Sequence, residues 1–254
     1  MALIHRKITK EKSITTVLFD LDGTLISSKS RFVDPIVEPL YRFRDEIPLE
    51  LIDTGIREVI ELMKDKSTSR IPIILWNIGK TLELSFTERL KYLYQAKKCY
   101  NMKRDEFELN DNAEFLINEL SQNYKLGIVT SSPRKDIEKL KAEYPIFEKI
   151  STIITRDEVH HLKPHPEGLL KACSILGVDV QEAIYIGDLP TDLIAAKDAN
   201  MANIGFLGEF SEYTHSLLQA EYPDFLISNL IEIFGILEHH THNMKINNSK
   251  YVLR

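Results

Sequence analysis

Apolar residues come in two rhythms along this chain. Short, nearly continuous runs, rich in β-branched and aromatic residues, occur at Ile14–Phe19 (ITTVLF), Lys125–Thr130 (KLGIVT), Lys149–Thr155, Ala183–Ile186, 202–206 and Phe225–Ile227. Runs of this kind predict strands buried on both faces, as in a parallel sheet. The first strand is expected over about 14–20 and the third over 149–155. Between them lie stretches of helical spacing. One is expected to run to about 122, with Asp111 or Asn112 as its cap. Another covers 133–143, where Pro133 suits a first turn. A third, 166–176, stops at Gly177; a fourth runs to about 199; the last, 228–237, takes Ser228 or Asn229 as its cap. Strands alternating with helices predict an α/β fold, a doubly wound parallel sheet of Rossmann-like form.

Residues 31–108 break this alternation. Helical spacing recurs at Ile36, Leu40 and Phe43, at Ile56, Val59, Ile60 and Met63, and at Leu84, Leu90, Leu93 and Tyr94. Pro35, Pro48 and Pro72 punctuate it. IPIILW is read as the start of a helix within this block rather than as a strand. The block predicts a helical domain over 30–108, inserted into a core made of 1–29 and 109–238. The polar stretch Ile26-Ser27-Ser28-Lys29-Ser30 forms the hinge. Residues 1–13 are expected to be a loose lead-in, and the polar 239–254 a disordered tail.

Composition narrows the picture. The 254 residues are 43% hydrophobic, enough for one large core and a smaller one. Lys and Arg total 32 against 38 Asp and Glu, a net charge of -6. No basic field favours nucleic acid, so an anionic ligand needs locally placed cations. Cys99 and Cys173 lie far apart without CxxC spacing, which suggests neither a disulfide framework nor a zinc site. No run reaches the length of a membrane span and the first residues carry no apolar signal region. A cytoplasmic protein without membrane contact, monomeric or weakly dimeric, is the expectation.

Chemistry gathers where strands end. The first delivers Asp20 and Asp22, then Gly23 and Thr24. Alternate residues of an extended segment point the same way, so both carboxylates can face one pocket. They repel unless a cation lies between them or one holds a proton. Mg²⁺, a hard oxygen-seeking ion, suits them. Gly23 allows a turn with open N–H groups and Thr24 adds a hydroxyl. The second strand ends in Thr130-Ser131-Ser132-Pro133, and another in Gly187-Asp188-Leu189-Pro190-Thr191-Asp192. Lys163 lies in a loop with Pro164 and Pro166. In a parallel sheet these ends share one edge, where sites form. Hydroxyls and an ammonium suit phosphate oxygens, and the excess carboxylate suits a divalent cation. Lys163 would also stabilise the Asp20 anion.

DLDGT, VTSS, KPHPEG and IGDLPTD, in this order, resemble the four motifs of the haloacid dehalogenase-like superfamily, most closely its phosphoglycolate phosphatase and pyrophosphatase branch. The insertion after the first strand resembles that branch's helical C1-type cap, and WNIGKTLELSFTERL its substrate-facing segment. The resemblance implies a Mg²⁺-dependent phosphatase acting on a small phosphorylated metabolite. Asp20 would be the nucleophile, and Asp22 the acid and base, its side chain able to keep a proton. Thr130 would bind the phosphoryl group with Ser131 as helper. Lys163 would hold nucleophile and phosphoryl oxygens. The metal would rest on Asp20, Asp188 and the Asp22 carbonyl, with Asp192 either supporting it through water or orienting Lys163. Ser131, where relatives often carry Asn, and Pro190 depart from the pattern. A phosphomutase, or a regulatory protein that keeps the fold without turnover, are the alternatives.

Other residues are read more plainly. Lys80 is either a cap residue reaching the substrate or a solvated surface lysine. Trp76 is read as core of the helical block rather than as a substrate platform. His160, His161 and His165 have no matching Cys or carboxylate spacing and read as a loop beside Lys163 rather than a zinc site. His239, His240 and His242 in the tail are expected to bind nothing specific.

Overall fold

The computed structural model describes residues 13–240, apart from 49, 52, 53, 55, 58–70, 104 and 210. The lead-in before residue 13, the tail beyond 240 with His242, and Val59, Ile60 and Met63 therefore lie outside the described residues.

Six parallel strands form one sheet in the order β3-β2-β1-β4-β5-β6. They are β1 (Thr16–Phe19), β2 (Lys125–Val129), β3 (Thr152–Ile154), β4 (Ala183–Gly187), β5 (Ala202–Phe206) and β6 (Phe225–Ile227). β1 sits at the centre: Thr16 pairs with Lys125 on one side and with Ala183 on the other. Every β1 residue is buried. Val17 and Phe19 face one apolar cluster with Ile128, Ile184 and Ile186. Leu18 faces a second with Val129, Leu169 and Tyr185. This is the alternation of a strand covered on both faces.

The strand cores match the expected runs, but two are shorter. β1 is Thr16–Phe19 rather than 14–20. β3 is Thr152–Ile154 rather than 149–155, because Pro145–Lys149 forms a 3₁₀ turn ahead of it. Helices α4 (Ala113–Leu120), α5 (Arg134–Glu143), α6 (Glu167–Leu176), α7 (Pro190–Asp198), α8 (Ser211–Ala220) and α9 (Glu232–His240) connect or follow the strands. Asn112 stands at the start of α4 with φ 66°, and its side chain does not cap the helix. Gly177 ends α6 with φ 64°, as its sequence position implies. The last helix begins four residues later than expected. The Glu232 carboxylate accepts the N–H groups of Ser228 and Asn229, which holds that segment as a turn before α9.

Between β1 and β2 the regular elements among the described residues are helices. A run from Lys29 to Arg42 contains α1 (Asp34–Val37). Further on lie α2 (Ile71–Thr81) and α3 (Phe86–Lys103), and IPIILW indeed opens α2. Ile36, Leu40, Ile74, Leu75, Ile78, Leu84, Tyr92 and Ala96 form their own cluster. The Tyr92 hydroxyl donates to the Ile36 carbonyl at 2.9 Å, tying α3 to α1. Trp76 is half-buried rather than central. Phe86 meets its ring edge-on, with centroids 5.5 Å apart, and the Arg89 guanidinium lies 4.4 Å from its ring centre.

Candidate active site

β1 and β4 are neighbours in register, so their C-terminal ends present Asp20 and Asp188 side by side. The loop after β4 turns directly into α7, whose first turn carries Asp192. Ligand atoms of Asp20, Asp188 and Asp192 all lie within 4.8 Å of one another. The three residues are 5%, 6% and 0% exposed. Lys163 arrives from the β3–α6 loop, with a cis peptide to Pro164, and is itself buried. Its ammonium donates to Asp20 Oδ1 at 2.6 Å, to Asp192 Oδ1 at 2.5 Å and to the Tyr185 hydroxyl at 3.0 Å. That hydroxyl also lies 3.1 Å from the Val129 carbonyl and 3.2 Å from Asp192 Oδ1. Asp192 Oδ2 accepts the Leu189 N–H at 3.0 Å.

Burial dominates the electrostatics. It pushes the Asp20 carboxyl up to about 7, against the pull of Lys163. It pushes Asp188 well above the carboxylate range, helped by the charges of Asp20 and Asp192. For Lys163 burial works downward, yet Asp192 and Asp20 outweigh it and the ammonium is held well above its ordinary value. Three closely placed buried carboxylates with one ammonium among them are short of positive charge. An all-oxygen set of this kind fits a hard divalent ion such as Mg²⁺.

The Asp22–Ile26 loop closes against this cluster. Gly23 has φ +88°, and a Cβ there would lie 2.0 Å from Asp188 Oδ2, so glycine alone fits both the turn and the close approach. The Thr24 hydroxyl donates to Asp188 Oδ1 at 3.4 Å. The Asn110 amide holds the Gly23 and Thr24 carbonyls at 3.1 and 2.9 Å.

The Asp22 carboxylate stands apart from the three-carboxylate group. Arg31 donates to and ion-pairs with its Oδ1, and the Ser132 hydroxyl donates to Oδ2 at 2.5 Å. Of the two serines after Thr130, Ser132 is the buried one and Ser131 is exposed. The Ser132 N–H donates to Thr130 Oγ1 at 3.0 Å, so the strand end and the turn lock together. Ser132, rather than Ser131, is thus the serine that contacts Asp22.

Asp20, Asp22, Thr24, Thr130, Lys163, Asp188 and Asp192 thus meet along one sheet edge. Lys80 is exposed on α2, and among the described residues no hydrogen bond or ion pair joins it to them. Three contributors were missed: Arg31, Ser132 and Tyr185. Period-two alternation after β2 pairs Thr130 with Ser132 and would have found that serine. A tyrosine in a fully buried strand needs a partner for its hydroxyl, which is a weaker signal. His161 and His165 are exposed, with ring centroids 4.6 Å apart. The Glu167 carboxylate accepts the His160 and His161 N–H groups at 2.8 and 2.9 Å. These bonds, the His160 one foremost, draw Glu167 down to about 2 and give it the task of fastening the loop that carries Lys163.

The family described as haloacid dehalogenase-like hydrolase matches this chain over residues 17–206. Pyrophosphatase PpaX of Bacillus cereus strain AH820 is 27% identical over 228 residues, 88% of this chain and 96% of that protein. The structure of a haloacid dehalogenase-like hydrolase from Bacteroides fragilis is 26% identical, with a TM-score of 0.63, covering 87% of this chain and 100% of the other. That of a predicted phosphoglycolate phosphatase from Haemophilus somnus 129PT is 20% identical, with a TM-score of 0.65 and coverage of 89% and 99%; at that identity the likeness speaks of the fold. Among the described residues no helix is long and apolar enough to cross a membrane.

Proposed function

Because the chain belongs to the haloacid dehalogenase-like hydrolases, we propose that it is a Mg²⁺-dependent phosphatase, hydrolysing a small phosphorylated metabolite through an aspartyl-phosphate on Asp20. The observation that carries this is the buried Lys163 ammonium, 2.6 Å from Asp20 Oδ1, with Asp188 in the same cluster. It is supported by the pyrophosphatase name of the curated relative.

Asp20 Oδ attacks phosphorus as the ester P–O bond breaks, and Asp22 gives the departing oxygen its proton. Asp22 then takes a proton from the water that attacks the aspartyl-phosphate, releasing phosphate and restoring the Asp20 carboxylate. The arrangement seen, with both Asp22 oxygens accepting hydrogen bonds, is the one that suits this second half. Lys163 holds Asp20 and reaches the phosphoryl oxygens, and Thr130 binds those oxygens too; the Gly23 and Thr24 N–H groups, expected to be open, already donate to the Ile26 and Leu21 carbonyls. Asp20, Asp188 and the Asp22 carbonyl would hold Mg²⁺, which supplies positive charge toward the phosphoryl group. Both Asp192 oxygens already accept hydrogen bonds, which favours Asp192 as the residue that orients Lys163. In-line phosphoryl transfer depends mostly on such positioning and charge neutralisation. The separate apolar cluster of the helical block supports reading residues 30–108 as a cap that closes over the site and sorts small substrates.

The test is a panel of pyrophosphate, phosphoglycolate, sugar phosphates and nucleoside monophosphates with Mg²⁺, read as released phosphate. Asp20→Asn is expected to abolish turnover of whichever ester is cleaved. Normal hydrolysis by that variant would refute the aspartyl-phosphate route.

A further inference from the structure

Arg31 belongs to the segment that leads from the core into the helical block, yet it is only 3% exposed. Its guanidinium spans two carboxylates from different parts of the chain. One is Asp22, in the loop after β1; the other is Asp136, itself buried in the first turn of α5, at 3.2 Å. The plane also lies over the Phe107 ring, 5.1 Å from its centre. A planar fork held on both sides in this way has little freedom, and an arginine uses such geometry better than a lysine. Ser132 occupies the other Asp22 oxygen, and its own N–H is bound to Thr130.

Both oxygens of the Asp22 carboxylate are thereby held from outside the Asp20 cluster. Were Arg31 there only to neutralise charge, one carboxylate would suffice. Asp136 adds an anchor on the element that follows Thr130, so the guanidinium position is fixed relative to the phosphoryl-binding strand end. We propose that Arg31, anchored by Asp136 and assisted by Ser132, is the positioning residue for Asp22: it aims that carboxyl group for proton transfer to and from the reacting oxygens, and touches no substrate itself. The proposal rests on the phosphatase reading above.

Proton donation matters most for a poor leaving group, and this sets the test. kcat/KM is measured for an alkyl phosphate ester, whose alkoxide leaves badly, and for p-nitrophenyl phosphate, whose phenolate leaves without help. General acid catalysis is worth about 10²–10⁴-fold. Arg31→Ala is expected to lower kcat/KM for the alkyl ester by about 100-fold and for the aryl ester by less than about 10-fold on the same scale. Arg31→Lys should recover part of the alkyl loss. Ser132→Ala, a small change that spares folding, should show the same ordering at lower amplitude. Equal losses on both esters in the Ser132 variant and in either Arg31 variant, or no loss in any of them, overturn the proposal while leaving the phosphatase reading in place. A wild-type chain that releases phosphate from neither ester nor any member of the panel above overturns both.

Discussion

Lys163 carries a charge into a place nearly closed to water, where it pairs with two carboxylates and a third stands in the same cluster. Removing one partner of such a buried pair leaves the other uncompensated, a loss of about 3–5 kcal/mol. It also removes a group that stabilises charge in transfer, worth at least ~100-fold in rate. Lys163→Ala is therefore expected to lower kcat at least ~100-fold and to shift the urea midpoint markedly downward. A variant of undiminished rate and midpoint would show that Asp20 and Asp192 do not depend on the ammonium. The sequence made Lys163 legible because it stands in a loop just before two prolines, in order with three other motifs. Arg31 had no such marking. It lies just past the small polar stretch read as a hinge, and only the fold brings it against Asp22 and Asp136, nine and 105 positions away in sequence. Tyr185 was hidden differently: its ring serves the core and its hydroxyl the site.

Elements show the same division between local and distant causes. β1, β2 and β4 were legible because continuous apolar runs have one good solution in a doubly wound sheet. The ends of β3 and α9 were not: a 3₁₀ turn over Pro145–Lys149 shortens β3, and the Glu232 side chain holds Ser228 and Asn229 in a turn ahead of α9. The turn Arg156–Glu158, which leads from β3 to the Lys163 loop, is a case where such a side chain can be tested. The Glu158 carboxylate accepts the Thr155 N–H at 2.6 Å and the Thr155 hydroxyl at 2.7 Å, and Arg134 donates to its other oxygen. Burial pushes this carboxyl upward, but the Thr155 bonds and then Arg134 outweigh it and hold it below its ordinary 4.5. A lowered folded-state value means that the ionised group stabilises the fold above about 4.5, and that this is lost as pH falls through the lower folded value. Glu158→Gln should thus cost about 1 kcal/mol at pH 7, in line with a hydrogen-bonded charge that is partly exposed. The gap to wild type should narrow at pH 3. Thermal unfolding of both proteins at the two pH values measures it; a gap that is independent of pH would assign the turn's stability to packing instead.

At the scale of the whole molecule, the sheet edge concentrates charge that the fold alone does not balance. Asp20 is raised to about 7, chiefly by burial, from an ordinary 3.8, and Asp188 moves in the same direction. A carboxyl whose value rises on folding favours the folded state in its protonated form. Its contribution is complete below about 3.8 and is lost as pH rises through about 7. Metal-free protein should therefore give up part of its stability between those limits, and a divalent cation should compete with the same protons. Ligand at 100 times its Kd adds about 2.7 kcal/mol. For a chain of this size that raises Tm by roughly 5–10 °C. The expectation is a Mg²⁺-induced rise of that order at pH 8, clearly smaller at pH 5, and largely lost in Asp188→Asn. Differential scanning fluorimetry with Mg²⁺ or EDTA across this range reads it directly, without any substrate. If Mg²⁺ shifted Tm equally at both pH values, or shifted the Asp188 variant as much as wild type, the cation would be binding away from these carboxylates.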